Sequence, residues 1–283
     1  MFRNLSFASL FIFLCISLNS CNQLGLSKKD NKNDQLVQAL VLAQLSSSFN
    51  CEGCTCVTTA STSGGPSCQT CFSSDIPSWM KDNFTCISAY KSGNQYIVNT
   101  TDQPPHKSAY YGASSPYFEA MPGGNTANPN TIKSQNITLK IPVTPTLTSS
   151  TASAGLGPVG VATNGVVIYN NEAGPGDSLA NEYTTFDAAE GHPQMSGQYH
   201  YHTEPIKLTV SDSNFIGVML DGYPVYGKKD QTNNFPTLDS YGTRSCVTTH
   251  FPGGTQCYHV RNGTGVNGFI ISSFRGVKGT VSQ

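Results

Sequence analysis

Residues 197–205 read Gly-Gln-Tyr-His-Tyr-His-Thr-Glu-Pro and contain two of the six histidines of this 283-residue chain. Successive side chains of an extended strand point to opposite faces of the sheet. A strand here places His200 and His202 on one face, with Tyr199 and Tyr201 on the other. Neutral imidazole nitrogen is a good ligand for copper, zinc, nickel and iron. The pattern therefore predicts a strand that supplies half of a divalent metal site.

A third histidine precedes this stretch, in the segment Gly191-His192-Pro193. This segment is close enough in sequence to fold back over the following strand, and three His ligands with an open fourth position are typical of catalytic zinc sites. We predict that His192, His200 and His202 ligate copper or zinc. In the alternative interpretation the histidines hydrogen-bond backbone groups or are buried beside the tyrosines, whose large apolar area favours core packing.

The motif and its surroundings resemble the YHYH domain family. The resemblance is carried by the run at 197–205, by the GHP segment at 191–193 and by GVMLDGYPVYG at 217–227. Further matching segments are GLGPVGV at 155–161, NGVV at 164–167 and SFRG at 273–276, so the resemblance covers roughly residues 130–283. The family is known by its motif, and the resemblance implies no settled activity.

The family pattern often has a second aromatic and histidine segment nearer the C-terminus. The corresponding residues here are Gln256-Cys257-Tyr258-His259-Val260, with Gln and Cys where the pattern has Tyr and His. Cys257 and His259 still share one strand face. We treat His259 as a candidate fourth ligand, although the altered pattern argues against a symmetric four-His site.

Several carboxylates are candidates for supporting roles at such a site. Asp221, in an Asp-Gly turn signal, and Glu204, two residues after the last motif histidine, are candidates for orienting a ligating imidazole. Turn formation is the alternative role for Asp221. If the protein is a metal-dependent enzyme, Asp187, Glu190 or Glu204 is the expected general base.

Charge and motifs exclude several other functions. The chain has 16 Lys and Arg against 17 Asp and Glu, so it has no strong positive field to attract nucleic acid. It has no G-x-S-x-G nucleophile elbow and no P-loop. The G-x-G-x-x-G pattern at 155–160 follows a Ser/Thr-rich run and is interrupted by Pro158, so we interpret it as a loop.

The first 20 residues are typical of a signal peptide for export. Arg3 provides a short positive region, and the apolar core at 5–18 is too short to span a bilayer comfortably. The sequence LNSC at 18–21 resembles a relaxed bacterial lipobox, which predicts lipidation of Cys21; ordinary cleavage is the alternative. We expect an exported protein, periplasmic or at the cell surface, that contacts the membrane through this lipid anchor.

The following residues divide into three further parts. Residues 21–50 form a polar tether and a short helix over 34–47, residues 51–87 form a Cys-rich segment, and residues 88–283 form the YHYH domain. Three disulfides are expected among the first six cysteines after the tether, because exported proteins meet oxidising conditions; a zinc ribbon is the alternative. Those cysteines are Cys51, Cys54, Cys56, Cys68, Cys71 and Cys86.

The two remaining cysteines, Cys246 and Cys257, flank a Pro-Gly-Gly turn. They are most simply a disulfide, although Cys257 with His259 can instead form a mixed metal site. Short β-prone runs separated by turn residues occupy the rest of the domain, at 136–143, 164–169, 206–210, 215–220 and 268–272. The chain is therefore predicted to be all-β, with an antiparallel sandwich or barrel-like domain.

These observations favour an exported cell-envelope protein that binds copper or zinc for sequestration or sensing. Two alternatives use the same residues. One is a metal-dependent envelope enzyme with an open coordination position. The other is a structural or adhesive lipoprotein without metal, whose histidines are satisfied internally.

Overall fold

The computed structural model describes residues 51–209 and 211–283, which form two β-sheets with very little helix. The helices are α1 (Ser78–Lys81) and α2 (Leu179–Tyr183), with short 3-10 helices at Ala109–Tyr111 and Gly265–Gly268. The strands are β1 (Thr55–Thr59), β2 (Cys68–Phe72), β3 (Ile87–Ser92), β4 (Gln95–Thr100), β5 (Ile137–Pro142), β6 (Gly160–Ala162), β7 (Val167–Ile168), β8 (Gly191–Pro193), β9 (Tyr199–Tyr201), β10 (Phe215–Met219), β11 (Pro224–Tyr226), β12 (Thr243–Cys246), β13 (Thr255–His259) and β14 (Thr280–Ser282). The predicted all-β class is confirmed.

The first sheet has six strands in the order β1-β2-β3-β4-β5-β14. Strand β5, which lies between β4 and the edge strand β14, was predicted from its alternating sequence, and Ile137, Leu139 and Ile141 are indeed buried on one face. The second sheet has eight strands in the order β12-β13-β11-β10-β6-β7-β9-β8. Buried residues of both sheets belong to one hydrophobic cluster, so the sheets share a core.

Pairing is mostly antiparallel, as expected, but three of the twelve strand pairs described are parallel: β2 with β3, β7 with β9, and β11 with β13. A parallel pair needs a crossover connection longer than a hairpin. The connection from β7 to β9 contains α2 and β8. This crossover brings α2 and its flanking loops beside the strand that carries the Tyr/His motif.

All eight cysteines of the described residues are joined as disulfides, and the zinc-ribbon alternative is wrong. The bridges are Cys51–Cys54, Cys56–Cys71, Cys68–Cys86 and Cys246–Cys257. The segment at 51–87 is built into the first sheet, because β1 and β2 lie at its edge and β2 pairs with β3. The mixed site of Cys257 with His259 is also wrong, since Cys257 is bridged to Cys246.

Two predicted strands are wrong. Residues 206–208 form a turn in which the Leu208 N–H donates to the Pro205 carbonyl at 2.7 Å, so the chain leaves the sheet directly after the motif. Near 268–272 the chain is irregular and makes isolated backbone hydrogen bonds, among them those from Ile270 N–H to the His202 carbonyl and from Asn171 N–H to the Ile271 carbonyl. This segment passes across the ends of β7 and β9 and does not pair along either strand.

The strand predicted at 164–169 narrows to β7 (Val167–Ile168). Its first residues form the tight β6–β7 turn, where Gly165 has φ +82° and donates its N–H to the Ala162 carbonyl at 2.9 Å. The signal peptide, the lipidated Cys21, the tether and the helix at 34–47 lie outside the described residues. None of the helices described is long and apolar enough to cross a membrane.

The β8–β9 hairpin depends on Gly197. This residue has φ +85°, a left-handed conformation that side chains disfavour. An added Cβ would also lie 2.6 Å from Lys133 Cγ and 2.8 Å from the Thr131 carbonyl oxygen. Hydrogen bonds between Gln194 and Gln198, and from Gly197 N–H to the Gln194 carbonyl, close the loop. The hairpin register therefore requires glycine at this position.

We predict that Gly197→Ala lowers the free energy of unfolding by about 1–3 kcal/mol, because it adds backbone strain and close contacts with the Lys133 side chain and the Thr131 carbonyl oxygen. Urea denaturation followed by circular dichroism measures the loss. Gly253→Ala is the matched control, since a Cβ there has no atom within 4 Å and its φ is not left-handed. An equal loss in the two variants would contradict this account of the hairpin.

Candidate metal centre

The β8–β9 register brings the three histidines together. His192 on β8 lies directly opposite His200 on β9, and His202 follows on the same face just after β9 ends. The Nε2 atom of His200 lies 3.1 Å from that of His192 and 3.0 Å from that of His202. All three side chains are buried. Among the described residues they form a group of ligand atoms within 4.8 Å of one another that can hold a metal ion.

Hydrogen bonds at the other ring nitrogen fix the tautomers of two histidines. Nδ1 of His200 lies 3.1 Å from the Gln198 carbonyl oxygen, and Nδ1 of His202 lies 2.5 Å from the Asn170 carbonyl oxygen. A carbonyl oxygen only accepts, so each Nδ1 must carry the proton and donate it. In the neutral rings, Nε2 is then left with a lone pair.

The third tautomer is fixed through a hydroxyl group. Nδ1 of His192 lies 2.7 Å from Thr185 Oγ1. That hydroxyl has a single hydrogen, which it donates to the Glu182 carbonyl at 2.7 Å. Thr185 can therefore only accept from His192, so Nδ1 of His192 is protonated as well. Support of this kind, at the nitrogen remote from the metal, accompanies most metal-ligating histidines.

Three Nε2 lone pairs thus converge in a buried space. A single added proton can bridge only one of the two short N···N contacts at a time, whereas a cation accepts all three lone pairs. Four-coordinate zinc with Zn–N bonds of about 2.0–2.1 Å separates its nitrogen ligands by about 3.3–3.4 Å. The observed separations of 3.0 and 3.1 Å are within a few tenths of an ångström of that value. The donor set fits a transition-metal ion.

Aromatic rings hold the imidazoles in place. Tyr169 stacks on His200 with ring centroids 3.9 Å apart and an interplanar angle of 20°. Phe186 contacts His192 and stacks on His202, with centroid distances of 4.8 and 5.8 Å. These contacts, together with the Nδ1 hydrogen bonds, restrict rotation of each ring. The three Nε2 atoms are consequently preorganised.

Burial also favours the neutral rings that a metal requires. It lowers the pKa of His192 to about 3 and that of His202 to about 4, and it holds the pKa of His200 well below its ordinary value. The neighbouring imidazoles add to this effect at His192 and His200, because a second positive charge would repel the first. All three rings are neutral at pH 7.

The tyrosines of the motif face the core, as predicted. Tyr199 and Tyr201 are fully buried. The Tyr199 hydroxyl donates to Asp187 Oδ1 at 2.8 Å, and the Tyr201 hydroxyl lies 2.9 Å from His106 Nε2. Asp187 also accepts backbone N–H groups and the Ser108 hydroxyl. The Asp187 carboxylate thus links side chains and backbone groups of the core. It is not placed to act as a base at the three clustered histidines.

His259 does not join the cluster. It lies on β13, which is separated from β9 by four strands in the order of the second sheet. Both of its ring nitrogens have partners: Nδ1 lies 2.8 Å from the Gly227 carbonyl, and Nε2 accepts from Arg244 Nε at 3.2 Å. The candidate fourth ligand of the sequence is therefore satisfied elsewhere, and the C-terminal segment forms no second half-site.

Asp221 has the turn-forming role that was its alternative. It accepts from the Tyr258 hydroxyl at 2.6 Å and from the backbone N–H groups of Tyr223 and Gly276 at 3.3 and 2.8 Å. Burial raises the pKa of Asp221 to about 6. None of its hydrogen-bond partners is a histidine, so it does not orient an imidazole of the centre.

The remaining predicted carboxylates are also engaged away from the histidines. Glu204 forms an ion pair with Lys228 at 2.9 Å. Glu190 accepts from the Tyr183 hydroxyl at 3.3 Å and from the Thr203 hydroxyl at 3.4 Å. Neither is placed as a general base for a metal held by the triad, so the set of bases expected for an enzyme is not brought to the site.

Sequence reasoning missed the carboxylate that does face the histidines. Glu182 Oε2 lies 3.4 Å from His202 Nε2 and 3.7 Å from His192 Nε2. Burial raises the pKa of Glu182. The residue is in the short helix α2, ten positions before His192, and no spacing rule distinguishes it from the acidic residues nearby. Only the crossover from β7 to β9 reveals it.

A cavity of about 600 Å³ opens in front of the triad. All three histidines and Glu182 line it. Its rim includes Met195, which is 90% exposed in the β8–β9 loop. The side-chain amides that line it belong to Asn128, Asn130, Asn181, Gln194 and Gln283. The buried centre is thus connected to solvent by a cleft, which provides a path for a metal ion.

Comparison with known proteins supports the family assignment. A family model described as "YHYH protein" matches residues 138–235. The resemblance indicated by the Tyr/His motif is therefore confirmed over that segment, which contains the three histidines and Glu182 but not His259. No curated protein and no solved structure matches the chain.

The lowered histidine pKa values predict how the metal-free protein responds to acid. In the unfolded chain the imidazoles take up protons near pH 6.5, whereas in the folded state they do so near pH 4 and 3. Their stabilising contribution is complete above pH 6.5 and is lost as pH falls toward 3, by up to about 1.4 kcal/mol per pH unit for each group. Thermal melting between pH 7 and pH 4 measures this dependence.

The control for this pH dependence is the triple variant His192→Gln, His200→Gln, His202→Gln, which lacks the titrating groups. Its melting temperature is expected to vary less over the same range than that of the natural protein. Identical pH profiles for the two proteins would show that other groups dominate acid unfolding.

Proposed function

We propose that this protein is exported to the cell envelope, is anchored there by lipid, and binds one transition-metal ion, copper or zinc, for sequestration or sensing. The ligands are Nε2 of His192, His200 and His202. The observation that carries the proposal is the convergence of three Nε2 lone pairs whose tautomers are all fixed by hydrogen bonds at Nδ1. A purely structural role gives those lone pairs no partner.

The environment of the triad is suited to retention of a metal. The ligands are buried, neutral at pH 7 and held by aromatic contacts, so little conformational freedom is lost when an ion binds. Proton competition at these nitrogens begins only well below pH 6.5 because burial lowers their pKa values. These properties favour sequestration or sensing, both of which need an ion to remain bound at neutral pH.

Two features support export. The first 21 residues have the order of a bacterial lipoprotein signal, with Arg3, an apolar core and Cys21. Every cysteine of the described residues is in a disulfide, which is typical of proteins in oxidising compartments. A lipid anchor holds such a protein at a membrane surface without a membrane-spanning helix.

We predict that wild-type protein binds one equivalent of zinc or copper(II) and gains thermal stability on binding. The double variant His200→Ala, His202→Ala is expected to lose this binding, since two of three ligands are removed. Isothermal titration calorimetry and metal analysis after desalting measure the stoichiometry. Wild-type protein that binds neither ion and shows no thermal shift would show that the histidines are structural.

Two variants serve as controls for that experiment. His259→Gln removes a buried histidine outside the triad and is expected to leave the stoichiometry at one. Tyr201→Phe removes the hydroxyl that contacts His106 on the opposite strand face, so it is expected to reduce stability by about 1–3 kcal/mol while metal binding persists. Loss of binding in His259→Gln would place that residue in the centre after all.

Anchoring is tested separately, through Cys21. We expect the mature protein to partition into the detergent phase of a Triton X-114 extraction, and Cys21→Ser to move it to the aqueous phase, because the lipid is attached through that thiol. Mass spectrometry of the N-terminal peptide identifies the modification. Recovery of the wild-type protein in the aqueous phase with an unmodified N-terminus would refute lipidation and leave ordinary cleavage.

A further inference from the structure

We infer that Glu182 is the fourth ligand of the metal centre, so that the site is a three-histidine, one-carboxylate centre. This inference rests on the proposed metal binding and specifies it. Glu182 Oε2 lies 3.4 Å from His202 Nε2 and 3.7 Å from His192 Nε2. These distances are close to the roughly 3.3–3.4 Å between ligand atoms of a four-coordinate ion with bonds of about 2.0–2.1 Å.

The oxygen faces the lone pairs of the histidines and not their N–H groups. Nδ1 carries the hydrogen in each ring, because its partners are the carbonyls of Gln198 and Asn170 and the hydroxyl of Thr185. A carboxylate beside two Nε2 lone pairs has no hydrogen to accept from either ring. The three Nε2 atoms and the carboxylate oxygen would repel one another, because each presents a lone pair. A cation bound between them makes all four contacts attractive.

The fold positions Glu182 from the same segment that positions His192. Ser178 caps α2 by accepting the Asn181 N–H at 3.2 Å, and Leu179 buries the helix against the core. Thr185, one turn further, links the two ligands: its hydroxyl donates to the Glu182 carbonyl and accepts from His192 Nδ1. The helix, the carboxylate and one imidazole are therefore held as a single unit.

Glu182 is distinguished from the other acidic residues at the cleft. Glu172 and Asp177 also line the cavity. Asp177 accepts from the Ser178 N–H and from the Asn181 side chain, and neither Glu172 nor Asp177 forms an ion pair with a triad histidine. Of these three carboxylates, Glu182 is the one within 4 Å of an Nε2 atom.

An oxygen atom as the fourth ligand, beside three imidazole nitrogens, affects which metal ion the centre selects. Imidazole and carboxylate suit zinc(II) and copper(II), whereas copper(I) prefers the soft sulfur of Cys and Met. All cysteines of the described residues are disulfide-bonded. The centre is therefore expected to select a divalent ion, and a closed shell of four protein ligands is typical of sites that retain their metal.

The test is Glu182→Gln, which keeps the shape of the side chain and removes its charge. Cobalt(II) serves as the probe, because its visible absorption reports the number and type of ligands. Wild-type protein is expected to give an intense four-coordinate spectrum, and the variant a weaker and shifted one. The zinc affinity of the variant, from competition with a chromophoric chelator, is expected to fall by at least the roughly 10-fold that loss of an outer-shell partner costs.

The matched control is Glu172→Gln, which makes the same change at another cleft carboxylate and is expected to leave spectrum and affinity unchanged. If Glu182→Gln and Glu172→Gln both bind like wild type, the inference is wrong and the fourth position is open to water, as in a hydrolytic metal site. That result leaves the proposed function intact, since wild-type protein still binds metal. Failure of the wild-type protein to bind cobalt, zinc and copper(II) overturns both.

Discussion

The candidate centre depends on the direction in which three imidazoles donate their protons. Once Nδ1 of His192, His200 and His202 is committed to Thr185 Oγ1 and to two main-chain carbonyls, each Nε2 has only a lone pair to present. The register of β8 and β9 and the alternation along the motif then bring the His200 lone pair to within about 3 Å of the other two. Ordinary hydrogen bonding cannot satisfy such a cluster.

The opposite face of the same strand makes this arrangement rigid. Tyr199 and Tyr201 are fully buried, and their hydroxyls are tied to Asp187 and to His106 and Asn164. Because strand side chains alternate, fixing the tyrosines also fixes the histidine between them. The Tyr-His-Tyr-His order therefore performs two tasks at once: the aromatic positions anchor the strand in the shared core, and the imidazoles project toward the cleft.

The sequence was sufficient where a local rule governs the structure. Alternation predicted β5 and the shared face of His200 and His202, and short sequence separation predicted the return of His192. Prediction from the sequence failed where long-range connections determine which residues come together. Glu182 reaches the site through a parallel crossover, and His259, which has the same spacing signal as the motif, lies on a strand that four others separate from β9. Residues near 206 and 270 are β-prone, but they form a turn and an irregular segment with isolated backbone hydrogen bonds in place of strands.

The position of His192 bears on the rate at which the proposed metal ion would leave. β8 is the outermost strand of its sheet and has only three residues, and the side-chain amides of Asn128 and Asn130 donate to the Pro193 carbonyl across its outer side. Edge segments open locally at a lower free energy than central strands. Separation of β8 from β9 would detach His192 while His200 and His202 remain in the core. We expect dissociation of the proposed ion at neutral pH to be governed by this transient opening of one sheet edge, so that different residues set the exchange rate and the equilibrium affinity of the centre.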